Sequence, residues 1–551
     1  MQIEKMIDCA LGNKKAELVI KNAKIVDVFN GRIINGDAAI CDGRIAGVGS
    51  YEGEREYDAG GAYLMPGFTD AHVHIESSML TPSRYARAVL PQGTTSVVCD
   101  PHEIANVCGI DGIKFMMRDA QSAPMDFHFM LPSCVPAADF EDSGAVITAE
   151  MTGEYLKKYD FTGLAEMMNY PGLFAKDSEV LGKISKAEIV DGHAPLVSGK
   201  QLCAYAASGI STDHECTSAA EMEEKLAAGM YVLLRCGRLT KQFSEMASAV
   251  NRHNAARICL CTDDRNPQDI VAQGTTQFCI INAIDAGMDA FDAIRAATLN
   301  PAVCYGFGRT GAVAPGYKAD LVLANDLRPG KIFAVWKDGV LVAENGVSVY
   351  PESTAADSSK VENTVNTAPF AAEDLVCTFS ADTPVISIDP GSLLTKKVFK
   401  KSADGLSHLA VIERHKATGK IGRCYLENYG ITGGAIASCI GHDSHNITVA
   451  GDNAEDMALA VKSLGKGGGI TVVKGGKLAA FLELPIAGLM SDKTAVEVIA
   501  GHKRLELAAE DMGITPGIDP FMTLAFLSLP VIPELRLTAR GIFDVTEFKF
   551  V

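Results

Sequence analysis

Eight short apolar segments, separated by helical patterns, run between residues 63 and 264, and they limit the fold more than any other feature of the chain. They lie at 63–75, 94–101, 126–133, 162–169, 188–194, 209–215, 231–237 and 257–264. Between them sit stretches such as TGEYLKKY (152–159) and SAAEMEEKLAAG (218–229), with the spacing of amphipathic helices. Strands that alternate with helices pair in parallel, because a parallel pair needs a crossover long enough to hold a helix. The chief rival is a doubly wound open sheet. Eight consecutive units with reactive residues at the strand ends favour a closed (β/α)8 barrel.

The flanks read differently. From Glu17 to about Met65 the chain shows short alternating strands, with Asn30-Gly31 and Asp42-Gly43 as hairpin turns and a short helix before them. The same texture returns at 309–326 and 332–346. The expected fold is therefore α/β: a TIM-like barrel at 67–305, inserted in a small β-sandwich domain made of 1–66 and 306–350. Residues 351–369 are polar and poor in aromatics and read as a linker. Residues 370–551 read as a further α/β domain, with a glycine-turned hairpin in 465–484. A chain of 551 residues exceeds what one hydrophobic core holds, so several domains are expected.

Composition narrows the function. With 68 acidic and 50 basic residues the formal net charge is −18, which disfavours nucleic acid as a partner. No stretch approaches the roughly 18 apolar residues of a membrane span, and the N-terminal residues lack the apolar core of a secretory signal. Many of the 15 cysteines sit in apolar runs, as Cys99, Cys259 and Cys261 do, and read as buried reduced thiols of a cytoplasmic protein. A homo-oligomer acting on a small molecule is expected.

The chemistry starts at residues 66–76, PGFTDAHVHIE. In an extended segment His72 and His74 point to one side, within reach of one metal ion. Further candidate ligands follow in order: Glu166 late in the fourth strand, then His193, His214 and Asp263 ending the fifth, sixth and eighth. In a barrel these ends share one face. Two divalent ions held there would turn water into a hydroxide nucleophile. Glu166, with two oxygens, suits a bridge between them. Asp263 is placed to hold one ion, take the proton of the attacking water and pass it to the leaving group. Asp213 and Asp264 flank these residues and would orient them. A lone histidine at a strand end is more often a satisfied polar residue than a ligand; the ordered set is what argues for a metal centre.

Other residues keep two readings. His102 and Glu103 follow the second strand and would contact substrate or a further ion, or simply open a helix, where an acid favours the dipole. Glu76, beside Ser77 and Ser78, belongs to the pocket loop or is a solvated acid. Arg235, unusual inside an apolar strand, pairs with a carboxylate or faces the pocket, a structural ion pair being the favoured reading. His442 and His445, in GHDSHNI, read as a loop against the barrel mouth in preference to a second metal site, since HxxH needs a helix to align its rings. The glycines at 467–469 are not followed by the Lys-Ser/Thr of a phosphate loop.

PGFTDAHVH, the later histidines, the eighth-strand aspartate and the GAVAPGYKADLVL return resemble the amidohydrolase superfamily over roughly 17–350. Where many members carry a carboxylated lysine on the fourth strand, this chain has Glu166 in GLAEMMN. DAHVHIESSML, VCDPHEIANVCG, STDHE, CTDDR and ASCIGHDSHNITVAG are similar to the bacterial adenine deaminase family, and extend the likeness across nearly the whole chain. The resemblance implies hydrolysis of the 6-amino group of free adenine to hypoxanthine and ammonia, in purine salvage. It implies a dinuclear divalent centre of manganese or iron, with zinc the alternative. His72, His74, Glu166, His193, His214 and Asp263 take the ligand positions. Asp263, Glu166 and His214 form the catalytic group. Charge developing on ring nitrogen N1 calls for a donor, for which Glu76, Glu103 and the surroundings of His214 are candidates, and His102, Glu103 and Glu76 are the candidate substrate contacts. The alternatives are an amidohydrolase acting on a cyclic amide or modified purine, and a scaffold protein without catalysis.

Overall fold

Parallel strands covered on both faces need apolar side chains on both, so they read as continuous rather than alternating runs. TTSVVC and ICLC are such runs, and both are buried throughout as strands. The computed structural model describes residues 3–236, 240–352 and 354–551. It contains eight consecutive barrel strands: β1 (Phe68–Val73), β2 (Thr94–Cys99), β3 (Asp126–Leu131), β4 (Gly163–Met167), β5 (Val190–Gly192), β6 (Thr212–Asp213), β7 (Tyr231–Arg235) and β8 (Ile258–Cys261). β1 to β5 pair in parallel order, as do β6 to β8. The ring is closed by single backbone bonds: the Ser211 N–H donates to the Val190 carbonyl at 3.0 Å, and the Asp263 N–H to the His72 carbonyl at 3.0 Å.

β5 and β6 are far shorter than the predicted 188–194 and 209–215. The neighbouring backbones approach closely at Gly192, where an added Cβ would stand 2.3 Å from the Thr212 carbonyl oxygen. The chain then leaves the sheet at once to present His193 and His214. Gly237, the last residue of the predicted seventh strand, lies outside the described residues.

The two flanking β segments meet in one nine-stranded sheet. Its seam pairs Tyr63–Pro66 with Leu321–Ala324, Met65 opposite Val322. The predicted N-terminal helix is present at Ile3–Ala10. At the floor of the barrel Lys318 reaches Asp126 at 2.7 Å.

The remaining residues build an eight-stranded, mostly antiparallel sheet flanked by helices Ala454–Ser463 and Ala495–Glu510. The hairpin expected in 465–484 pairs Gly469–Lys474 with Lys477–Glu483, turning through Gly475 and Gly476 at φ 55° and 74°. These left-handed angles fit the primed turn that a two-residue hairpin favours. The segment read as a linker is strapped down: Val361 is buried and its carbonyl accepts the Ala487 N–H at 2.6 Å, while the Asn366 N–H donates to the Arg414 carbonyl at 2.7 Å.

The C-terminal part is seated on the rim formed by the C-terminal ends of the barrel strands. Asp142, in the loop after β3, accepts two bonds from Arg540 at 3.0 and 3.1 Å and one from Lys420 at 2.6 Å. The Asn446 amide donates to the Asp142 carbonyl at 2.8 Å, and the Ser491 N–H to the Met79 carbonyl at 2.9 Å. No helix among the described residues is long and apolar enough to cross a membrane.

Candidate metal centre and substrate cavity

The rim residues arrive from strand ends. His72 lies within β1 and His74 one residue beyond it, Glu166 lies in β4, and His193 and His214 directly follow β5 and β6. Asp263 stands just past β8 in a left-handed backbone conformation, φ 57°. That region is uncommon for a residue with a side chain, and at a site it marks a position the surroundings impose.

Two triangles of ligand atoms result. His72 Nε2 and His74 Nε2 are 3.1 Å apart, and Asp263 Oδ1 lies 3.3 and 3.2 Å from them. Glu166 Oε2 lies 2.6 Å from His193 Nδ1 and 3.1 Å from His214 Nε2, with 3.3 Å between the two rings. In each triangle one point lies about 2 Å from all three corners, the length of a bond from nitrogen or oxygen to a divalent ion. The other Glu166 oxygen, Oε1, stands 3.4 Å from His74 Nε2, so the one carboxylate spans both triangles. His74 Nδ1 donates to the Asp100 carbonyl at 3.0 Å, which leaves its Nε2 as the lone-pair face turned inward. This donor set fits a divalent metal centre.

The rings and carboxylates of the site shift one another: against burial, the carboxylates raise His74 and His214, and raise His193 to about 9. Burial acts to raise the Asp263 carboxyl, but the Arg235 guanidinium, with His72 and His74, holds it well below the usual range. Burial acts on Glu166 too, and His193, His214 and His74 hold it low. Both are therefore carboxylates, the form that binds cations. Arg235 does more than make a structural ion pair, since it bonds Asp263 Oδ2 at 2.7 Å and Glu215 at 2.5 Å at the edge of the cavity. Asp213 touches no ligand ring; it accepts the Ala194 and Glu215 N–H groups and the buried Lys225 ammonium, each at 2.8 Å, and so fixes the turns that carry His193 and His214. Asp264 is hydrogen-bonded to Ser77.

The other candidates divide. His102 and Glu103 open helix His102–Ala120 and also line the cavity. His102 Nδ1 stands 3.1 Å from Asp100 and 3.4 Å from Glu166. Glu103 is spoken for: one oxygen bonds His442 Nδ1 at 2.6 Å and the other bonds His445. Glu76 is buried in the turn Ile75–Ser78, where it accepts the Ile104 N–H at 3.2 Å. Among the described residues lining the cavity, Glu76 does not appear.

Profiles of two families match the chain: the amidohydrolase family over residues 63–342 and the adenine deaminase C-terminal domain over 392–549. The chain is 47% identical to an adenine deaminase of Clostridium acetobutylicum over 568 aligned positions, covering 100% of both chains. It is 46% identical to one from Nitratidesulfovibrio vulgaris, covering 99% of this chain and 98% of that one. A third, adenine deaminase 2 of Carboxydothermus hydrogenoformans, is 44% identical, with 100% and 99% covered.

The chain belongs to the adenine deaminase family.

The adenine deaminase C-terminal domain supplies a wall of the cavity, of which sequence reasoning found the 441–446 loop at the barrel mouth and missed the rest. Its loop 441–446, between strands Gly434–Ser438 and Ile447–Gly451, brings His442 and Asp443 to the mouth. Helix Pro520–Phe526 and the following turn bring Met522, Phe526, Leu529 and Ile532. Phe526 lies against the His442 ring, centroids 4.5 Å apart at 29°. The GHDSH string was the one available signal; the apolar wall reads in sequence as ordinary core.

Proposed function

We propose that this protein hydrolyses free adenine to hypoxanthine and ammonia, at a pair of divalent ions held by His72, His74, Glu166, His193, His214 and Asp263. Manganese or iron suits the mixed imidazole and carboxylate set, with zinc the alternative. The observation that carries the reading is the single Glu166 carboxylate spanning two ligand triangles, one of which contains Asp263. It is supported by the full-length likeness to proteins named adenine deaminase.

The ions, when bound, supply Lewis acidity and lower the pKa of water. The protein does the rest. Asp263 Oδ1 faces the two β1 histidines, while Arg235 bonds its Oδ2. This arrangement keeps it ionised and oriented to take a proton from the attacking water. The water oxygen adds to C6 of the ring as its first proton goes to Asp263. That proton then passes to the exocyclic nitrogen, the C6–N6 bond breaks and ammonia leaves, while the second water proton leaves the C6 oxygen and ends on N1, giving the C6 carbonyl and ring N–H of hypoxanthine. Glu166, placed by β4 between the triangles, holds the two halves of the centre in register. The apolar wall from the C-terminal domain keeps bulk water from the ring faces.

The test is ammonia release from free adenine and from cyclic amides, with added manganese and after chelation. Adenine turnover that chelation abolishes and manganese restores is the expected result. Turnover of a cyclic amide alone would move the reading to another amidohydrolase reaction. No turnover of either by fully metallated protein would favour a scaffold.

A further inference from the structure

Asp443 is the one polar side chain of the C-terminal lining that is not already committed. Eight residues beyond position 390 line the cavity, and among them only His442 and Asp443 carry polar side chains. His442 is bonded to Glu103. Asp443 is 3% exposed, and its Oδ2 has no hydrogen-bond partner among the described residues. Its Oδ1 is 3.9 Å from both His102 Nε2 and His442 Nδ1, beyond hydrogen-bond reach. Its Oδ1 thus has only the charge of these two rings beside it, and a buried carboxylate oxygen such as Oδ2 without a donor is costly, persisting where a partner arrives from outside the fold. Burial pushes its carboxyl up to about 6, as expected of an acid awaiting a donor.

Its place relative to the ligand cluster is set by one ring. His102 stands 3.4 Å from Glu166 on its Nδ1 side and 3.9 Å from Asp443 on its Nε2 side. Asp443 and the centre are thus separated by no more than an imidazole and its two contacts. That span suits a flat bicyclic base with its six-membered ring toward the ligand cluster and its five-membered ring toward Asp443. Phe526, Leu529 and Ile532 offer apolar surface to the ring faces.

A free purine base carries an N–H on its five-membered ring. A nucleoside has a sugar there instead. We propose that Asp443 accepts this ring N–H, which makes the C-terminal loop the element that selects free base over nucleoside. The inference rests on the adenine reading above and adds a residue to it. A site built to bond an N–H rejects the analogue that lacks it more strongly than an apolar pocket rejects a methyl group.

The experiment compares kcat/KM for adenine and 9-methyladenine in the wild-type holoenzyme, Asp443→Asn and Asp443→Ala, with metal content measured on each. We expect the wild type to prefer adenine strongly. We expect both variants to lose about tenfold to a hundredfold for adenine, mainly in KM, with metal content unchanged and the preference for adenine collapsed by a similar factor. Equal losses for both compounds, or no loss, would overturn the role. Loss of metal with activity would also overturn it, since Asp443 would then be an ion ligand. A measurement on wild type alone guards against misfolding: hypoxanthine should inhibit at least tenfold more tightly than 9-methylhypoxanthine, and equal inhibition would overturn the proposal. A wild-type enzyme that releases no ammonia from adenine would refute the adenine reading itself, a separate failure.

Discussion

Asp263 holds two duties on two oxygens, Oδ1 toward His72 and His74 and Oδ2 toward Arg235. Asp263→Asn keeps the shape and removes the proton acceptor, so ammonia release should fall by about 10²–10⁴-fold while the far-UV spectrum stays unchanged. Activity close to wild type would show that another group carries the proton. Glu166→Gln replaces a carboxylate with a neutral amide at the point where the two ligand triangles touch. Metal per chain, measured after dialysis against metal-free buffer, should drop clearly below the wild-type value; full occupancy would exclude a bridging role. The convergence of the six candidate ligands was legible because they lie in or just after apolar runs, and a barrel gathers such ends at one rim. Asp443 and Phe526 were not legible in the same way. They come from a loop and a helix of a different sheet, and no spacing rule links residue 443 to residue 166.

Among the contacts that seat the elements closing the cavity, Asp142 is the most open to a pH test. Burial acts to raise its carboxyl, but Arg540 and Lys420 outweigh it and hold it low. A depressed carboxyl contributes stability that is fully present above its unfolded value, about 4, and is lost as the pH falls through the lower folded value. Asp142→Ala should therefore destabilise the seat of the C-terminal part at neutral pH by about 1 kcal/mol, a modest figure because Arg540 is partly open to solvent. The difference from wild type should begin to shrink as the pH falls below about 4 and disappear only once the pH is below the folded value. Denaturant curves at pH 7 and at steps below about pH 4 would check this; a gap undiminished as the pH falls would place the effect elsewhere. Among the elements, unbroken apolar strands such as β2 and β8 read plainly. β5 and β6 did not, because two or three paired residues leave no periodicity to read. The polar composition of 351–369 signalled a tether; its backbone bonds to Ala487 and Arg414 depend on distant chain and leave no trace in composition.

At the scale of the molecule, ions bound at a rim that draws ligands from five strands or strand ends should stabilise the whole barrel. Each tenfold excess of ion over its dissociation constant contributes about 1.4 kcal/mol. Chelation to zero metal should lower the unfolding midpoint by several degrees, and adding manganese back should restore it. A midpoint indifferent to metal would mean that the rim is rigid without ions. The seam between Met65 and Val322 has its own effect. On the ribosome, strand Tyr63–Pro66 emerges long before its partner, and the whole barrel must be made in between. The strand waits with an open edge until the barrel brings its two ends together. The order of synthesis therefore sets a limit: the seam cannot pair before residue 321 exists, and the wall built by residues 441–446 and 520–532 is made later still, so no shortened chain lacking that stretch can shut the cavity.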